Sequence, residues 1–247
     1  MLRFADEAHP HHVDLPVDVA TEKVAVVGVS GSGKTTLAAV LVEEVHEAGG
    51  RVVVLDTQGE WWSLRAGRDG QEGLPFVIFG GEKADVPIDA GMGKKLGTVL
   101  VESSVSAVVD ASRIPARARG AFFTALLTEL YEGNRRPLFL VVDEADLFAP
   151  QKPSRAGAQE LLDVMVDVVR RGRKFGFGAM LITQRPAAVA KEVLSQAETL
   201  FVTRLAGEHD QGAIDRWLGT HVPRTEREAV LATLATLPTG EVWGVSP

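Results

Sequence analysis

Residues 23–47 read KVAVVGVSGSGKTTLAAVLVEEVHE: an apolar run, a glycine-punctuated loop and a helical stretch, in that order. Gly28, Gly33, Lys34 and Thr35 fit the pattern G-x-x-x-x-G-K-[ST]. That pattern means something when a strand precedes it and a helix follows, because its physics depends on both. Glycines let successive backbone N–H groups turn inward around a phosphate, and the helix N-terminus adds partial positive charge. Lys34 then supplies a full charge to β- and γ-phosphate oxygens, and the Thr35 hydroxyl offers an oxygen to Mg²⁺. Ser30, Gly31, Ser32 and Thr36 complete the expected nucleotide-binding segment.

A strand feeding a helix in this way belongs to a parallel α/β sheet, and the rest of the chain repeats the alternation. Strands are predicted at 23–28, 51–56, 75–80, 106–111, 138–143, 178–183, 199–205 and 240–245. Most are unbroken apolar runs, as befits strands covered on both faces. Helices are predicted over 34–47, 115–132, 156–171 and about 224–236, with Pro115 at a first helical position. Residues 62–74 and 144–157 carry the glycine, proline and charge of loops. With 247 residues, 45% of them hydrophobic, and no low-complexity linker, one domain over 21–247 behind an arm of residues 1–20 is the economical expectation.

The second half of a nucleotide site is LFLVVDEADLF. A strand ending in Asp143 puts a carboxylate at the carboxyl edge of the sheet, where it can hold Mg²⁺ through water. The adjacent Glu144 is placed to polarise an attacking water. Glu144 favours hydrolysis over transfer to another substrate, since a kinase needs no dedicated water activator. The stretch LDTQGE contains Asp56-x-x-Gly59, which is also found in GTPases, but the Asn/Thr-Lys-x-Asp element that reads guanine is missing.

Composition narrows the remaining classes. A formal charge of −7 argues against a generally basic nucleic-acid coat, so any DNA contact must come from a local patch. The absence of cysteine excludes disulfides and thiolate metal sites. No apolar run approaches a membrane span and the opening MLRFADEAHPHHVDLP lacks a secretory core, so the expected setting is cytoplasmic, with no membrane partner. His9, His11 and His12 could bind a metal, although such clusters in a terminus are usually incidental. Trp61 and Trp62 fit a core or an interface better than a base-stacking role. Arg113, Arg117 and Arg119 open a helix and fit either a solvated face or a DNA channel.

The run RRGRKFGFGAMLITQRPAAVAKEVLSQAETLFVTRL, residues 170–205, is basic at its start. Basic residues complement the dipole at a helix end, and Gly172 would break that helix. The whole run, however, resembles HerA-type ATPases of the HerA/FtsK superfamily: Arg-x-Gly-Arg-Lys-hydrophobic-Gly, an apolar strand, Thr-Gln-Arg-Pro, Leu-Ser-Gln, and a strand ending in arginine. VVVLDTQGEWW resembles that family's Asp-x-x-Gly-Glu-aromatic segment. The resemblance covers roughly residues 20–245, loosely over 62–105 and 206–236. It is to the ATPase core alone, without the family's N-terminal β-barrel or its mid-domain helical insertion.

The resemblance implies a RecA-like ASCE P-loop NTPase, a mostly parallel sheet with helices on both faces, using ATP and Mg²⁺. It implies a homo-oligomeric ring, a hexamer, coupled to DNA and to a partner nuclease or other protein. Gln184 takes the place of the polar sensor on the strand beside the phosphate loop. Arg170, Arg171 and Arg173 match the segment from which the family draws an arginine acting on the neighbouring subunit's phosphate; direct DNA contact is a further role for them. Asp56 and Glu60 match acidic positions near Mg²⁺ or the subunit seam, with a simple strand-end turn as the alternative. Arg185 is a candidate partner for a carboxylate near the site. The rival reading is a nucleotide-dependent switch acting on a protein partner, and a P-loop kinase is a more distant third.

Overall fold

The computed structural model describes residues 2–4, 22–67 and 72–246. The expected histidine cluster and most of the expected arm lie outside these residues. Nine strands form one sheet: β1 (Leu2–Phe4), β2 (Lys23–Val27), β3 (Val52–Asp56), β4 (Val77–Gly80), β5 (Ala107–Asp110), β6 (Leu138–Val142), β7 (Phe177–Thr183), β8 (Thr199–Val202) and β9 (Val242–Val245). Their order is β1-β9-β8-β2-β7-β6-β3-β5-β4. The seven strands from β8 to β4 run parallel, whereas β9 joins β8, and β1 joins β9, antiparallel. All eight predicted strands exist. The ninth comes from residues 2–4, within the expected arm, whose backbone pairs with Val242–Gly244.

Helices cover both faces, which accounts for the unbroken apolar runs. Along β2, Ala25 and Val27 pack on one side with Phe123, Leu127 and Met165, while Val24 and Val26 pack on the other with Leu41, Val42 and Val45. Alternate side chains of one strand thus enter two separate cores, so neither set can be polar. On the first side lie α3 (Ala116–Gly133) and α5 (Ala158–Arg171). On the second lies α1 (Lys34–Glu47).

Two helices escaped the sequence reading: α2 (Gly93–Glu102) and α7 (Glu208–His221). The segment of α2 carries no predicted element; its Gly97 is buried because α2 lies hard against α3. A Cβ at Gly97 would stand 2.7 Å from Glu129 Cβ and 2.9 Å from Leu126 O. Two short helices, α4 (Ala145–Phe148) and α6 (Lys191–Leu194), occupy segments that follow β6 and β7. α8 (Arg224–Thr233) matches the last predicted helix, and Pro115 sits one residue ahead of α3 as its cap. Part of the expected 62–74 loop is a 3-10 turn, Trp61–Arg65.

In a parallel sheet all the strand C-termini open at one edge. Here that edge carries the phosphate loop after β2, the Asp56 turn after β3, Asp143-Glu144 after β6 and Gln184-Arg185 after β7. β7 lies between β2 and β6, so Gln184 is set between the loop and the acidic pair by strand order alone.

Candidate nucleotide site

β2 ends at Val27 and α1 begins at Lys34, so the intervening turn is the glycine loop. No side chain caps α1, and its first turn carries no acidic residue, which leaves its positive end open to an anion. Two braces hold the loop's shape. Ser32 Oγ lies 2.6 Å from Thr203 Oγ1 and donates to Val29 O at 2.7 Å, while Val29 N–H donates to Arg204 O at 2.9 Å. Thr203 packs so closely that a Cβ on Gly28 would run into its hydroxyl, a reason for glycine independent of any ligand.

Facing the loop is a polar cavity of about 380 Å³. Ser30, Gly31, Lys34 and Thr35 form one wall, Asp143, Glu144 and Gln184 another, with Gln58 and Glu60 completing the rim. A larger cavity of about 510 Å³ lies under α3 and α5, but Phe123, Phe148 and Leu161 give it an apolar floor. Charge and hydrogen-bonding capacity, not size, single out the former. Lys34 is 7% exposed and has no hydrogen bond or ion pair from its ammonium among the described residues. A buried cation held without a protein partner is costly, and a phosphate would repay it.

The acidic pair is fixed from several sides. Burial pushes the Asp143 carboxyl above the ordinary carboxylate range; the Trp61 indole N–H pulls it back, and the neighbouring Glu144 charge adds to the rise. Trp61 Nε1–H donates to Asp143 Oδ2 at 2.9 Å, and Glu144 N–H donates to Asp143 Oδ1 at 3.0 Å. Glu144 itself has φ 53° and ψ 55°, the one non-glycine residue with positive φ among the described residues. Such a conformation costs of order 1–3 kcal/mol and persists where the surroundings impose it. Its carboxylate accepts the Gln184 Nε2–H at 2.6 Å. The Gln184 amide therefore has its NH₂ toward Glu144 and its carbonyl oxygen free to accept from a water.

Asp56 is fully buried and spends its oxygens on its own turn, accepting N–H bonds from Gln58 and Gly59 at Oδ1 and from Trp61 at Oδ2. Burial raises its carboxyl, those three bonds lower it, and Asp110 on the adjacent strand raises it again. Of the alternatives left open for Asp56, the strand-end turn describes its contacts. Glu60 does face the cavity. Arg185 holds no carboxylate: its backbone N–H donates to Thr183 Oγ1, and its guanidinium has no partner among the described residues.

The comparisons with known proteins point to one family. Residues 5–114 match the family model of the helicase HerA central domain. A stretch of 92 residues, 36% of this chain, is 32% identical to the DNA double-strand break repair helicase HerA of Pyrococcus furiosus, of which it spans 16%. Over these residues the chain is similar to HerA-type proteins. Among solved structures, the genome packaging NTPase B204 of Sulfolobus turreted icosahedral virus 2, in complex with ATP-γS, superposes with a TM-score of 0.58 at 16% identity, covering 92% of this chain and 93% of that one. The bacterial conjugative coupling protein TrwBΔN70 gives 0.63 at 13% identity, covering 94% and 83%. At those identities the two structures speak for the fold.

The three arginines lie far from the cavity. Arg170 and Arg171 end α5 and Arg173 lies in the turn before β7, at the opposite edge of the sheet from Gln184. The seven residues of β7, at about 3.3 Å each, put roughly 20 Å between them. Each is exposed and paired within its own surface: Arg170 with Glu192 at 4.0 Å, Arg171 with Asp167 at 3.0 Å, Arg173 with Glu198 at 3.4 Å. None can serve its own phosphate loop.

Three contributors were missed as site residues. Thr203 and Gly240, whose N–H reaches Ser32 O at 3.4 Å, brace the loop from β8 and from the turn before β9. Asp146 accepts from Thr183 Oγ1 at 2.9 Å and ties α4 to the end of β7. Only the acid spacing Asp143-x-x-Asp146 could have hinted at the last. The others depend on which strand lies beside β2.

Proposed function

We propose that this chain binds and hydrolyses ATP with Mg²⁺ and serves as the motor subunit of a ring that acts on DNA. One observation carries the reading: Lys34, Thr35, Asp143, Glu144 and Gln184, from three separate strand ends, line a single polar cavity. Backbone N–H groups and Lys34 would hold the phosphates. Thr35 and Asp143 offer hard oxygens, a donor set that suits Mg²⁺, which takes its remaining ligands from phosphate and water. Bound there, Mg²⁺ would neutralise phosphate charge. Glu144 would accept the proton of the attacking water, and the free Gln184 carbonyl would orient that water.

The placement of Arg170, Arg171 and Arg173 supports a ring. An arginine that stabilises transition-state charge must come close to the phosphate, and these can do so only on a neighbouring copy. A hexamer is the expected closure.

DNA as substrate is supported by charge. The chain is acidic overall, yet the guanidinium or ammonium groups of Arg117, Lys152, Arg155 and Arg185 have no partner among the described residues, and all line other cavities in segments that follow strand C-termini, the sheet edge that also carries the nucleotide cavity. Unpaired cations gathered on one edge suit a phosphate backbone. The named relatives include a DNA repair helicase and a genome packaging NTPase.

A protein-directed switch is the second reading. Leu147, 41% exposed beside the apolar-floored cavity, is the observation that favours it. Mg²⁺-dependent ATP turnover measured with and without duplex DNA separates the two. For a motor, DNA raises turnover and the effect falls steeply with salt; replacing Lys152, Arg155 and Arg185 by alanine weakens DNA binding and lowers the salt slope by about one per lost contact. Turnover that ignores DNA but answers to a protein partner would favour the switch. Absence of any Mg²⁺-dependent ATP binding would end both.

A further inference from the structure

Trp61 and Trp62 adjoin in sequence but do different things. Trp62 is 39% exposed, with Lys83 Nζ 5.5 Å from its ring. Trp61 is 2% exposed, packed with Leu64, Phe76 and Ile78, and its indole N–H points at Asp143 Oδ2. A buried indole usually finds an acceptor, and a nearby carbonyl would satisfy it. Here the acceptor is the carboxylate assigned to the metal, and the indole is itself anchored. Trp61 N–H donates to Asp56 Oδ2 at 2.9 Å, and Asp56 is locked by two further N–H donors. The chain of restraint runs from Asp56 through the turn and the indole to Asp143.

What this prevents is visible across the cavity. Lys34 is close enough for its charge to act on Asp143, yet the two form no ion pair within 4.0 Å. Freed from the indole, the Asp143 carboxylate could swing toward the ammonium. Direct pairing would withdraw both groups from a Mg²⁺–nucleotide complex. We propose that Trp61 is a positioning residue, whose indole N–H holds Asp143 away from Lys34 and in the orientation that receives the divalent cation. This inference rests on the nucleotide reading above. It assigns a role to the aromatic position after Glu60 that the fold alone would not require, since phenylalanine would fill the same apolar space.

The test is Trp61→Phe, which keeps the ring and removes the donor, with Trp62→Phe as the control. Mn²⁺ serves as the spectroscopic stand-in for Mg²⁺ and a non-hydrolysable ATP analogue as the nucleotide. Electron paramagnetic resonance titration should show Mn²⁺ binding to the W61F–nucleotide complex about 10- to 100-fold weaker than in wild type, the size of effect seen when a ligand's supporting hydrogen bond is lost. Affinity for the analogue in EDTA should be unchanged, and W62F should match wild type in both. If W61F does not fold, the wild-type protein decides: the Trp61 indole ¹H–¹⁵N resonance, assigned by elimination with W62F, W217F and W243F, should shift with analogue plus Mg²⁺ but not with analogue plus EDTA. Folded W61F with wild-type Mn²⁺ affinity, or an indole resonance indifferent to Mg²⁺, overturns the proposal while leaving the nucleotide reading intact. Wild-type protein that binds no Mn²⁺–nucleotide overturns both.

Discussion

Glu144 stands in a left-handed conformation at the point where β6 turns into α4, and its carboxylate meets the Gln184 amide. Its position is imposed by its surroundings: Asp143 N–H is bonded to Leu55 O, and Glu144 N–H to the Asp143 carboxylate. Neutralising the proposed base without changing its size should therefore leave the site assembled. Glu144→Gln is expected to retain ATP affinity while turnover falls about 10²- to 10⁴-fold, the usual worth of a general base. Nucleotide titration alongside steady-state phosphate release checks it, and equal loss of binding and turnover would assign Glu144 to binding instead. Thr203 makes the complementary point. Nothing in its local sequence marks it, but its hydroxyl meets Ser32 and Val27 and dictates glycine at position 28.

Packing between elements sets signs that residue propensities get wrong. Alanine favours a helix over glycine by about 1 kcal/mol, yet Gly97→Ala in α2 is expected to destabilise. Its Cβ would stand 2.7 Å from Glu129 Cβ and 2.9 Å from Leu126 O, so α2 and α3 would have to part. Overpacking of this kind costs about 1–3 kcal/mol, and denaturant melts of the variant would show the net loss. At the other end of the chain, α8 buries Val230 and is clamped to α7 by Arg227, which donates from Nε and Nη2 to the two oxygens of Asp215 at 2.6 and 2.8 Å. The Arg227 hydrogen bond holds the Asp215 carboxyl below its ordinary value. A carboxyl depressed in the folded state contributes stability that is fully present above the unfolded value of about 3.9 and is lost as pH falls through the lower folded value. Both groups are about one-third exposed, so solvent screening keeps the contribution of the pair small. Arg227→Ala should loosen α8 at pH 7, seen as faster amide exchange in Arg224–Thr233, and the difference from wild type should fade below pH 4.

For the whole molecule, the length of the strands separates the nucleotide cavity from the basic run 170–173. The nucleotide cavity opens at the C-terminal edge and Arg173 sits at the N-terminal edge, so one chain holds a site and an arginine that cannot meet. If the arginine completes a neighbour's site, Lys34→Ala and Arg173→Ala are each inactive alone but complement when mixed. Some seams in the mixture would then pair an intact phosphate loop with an intact arginine. Turnover of the mixture above that of either variant is the expected result; no recovery across mixing ratios would place Arg173 outside the catalytic contact. The described residues contain no helix long and apolar enough to cross a membrane.

Much of this protein could be read from its residues because local chemistry leaves a local trace. The glycine loop between a strand and a helix, the apolar strand ending in Asp143-Glu144 and the Thr183-Gln184 strand tip all have physical requirements met within a few consecutive residues. So do the strands themselves, whose unbroken apolar runs follow from burial on both faces. Non-local contacts leave no such trace. Gly97 in α2 has a reason only once α3 is found against it, and Trp61 looks like core until Asp143 is found at its indole nitrogen. Strand order brings Thr203 beside Gly28, and β9 brings Gly240 to Ser32. Short segments specify the chemistry at each strand end. Which ends share a cavity is set by the fold, because pairing between strands far apart in the chain is a choice no short segment can express.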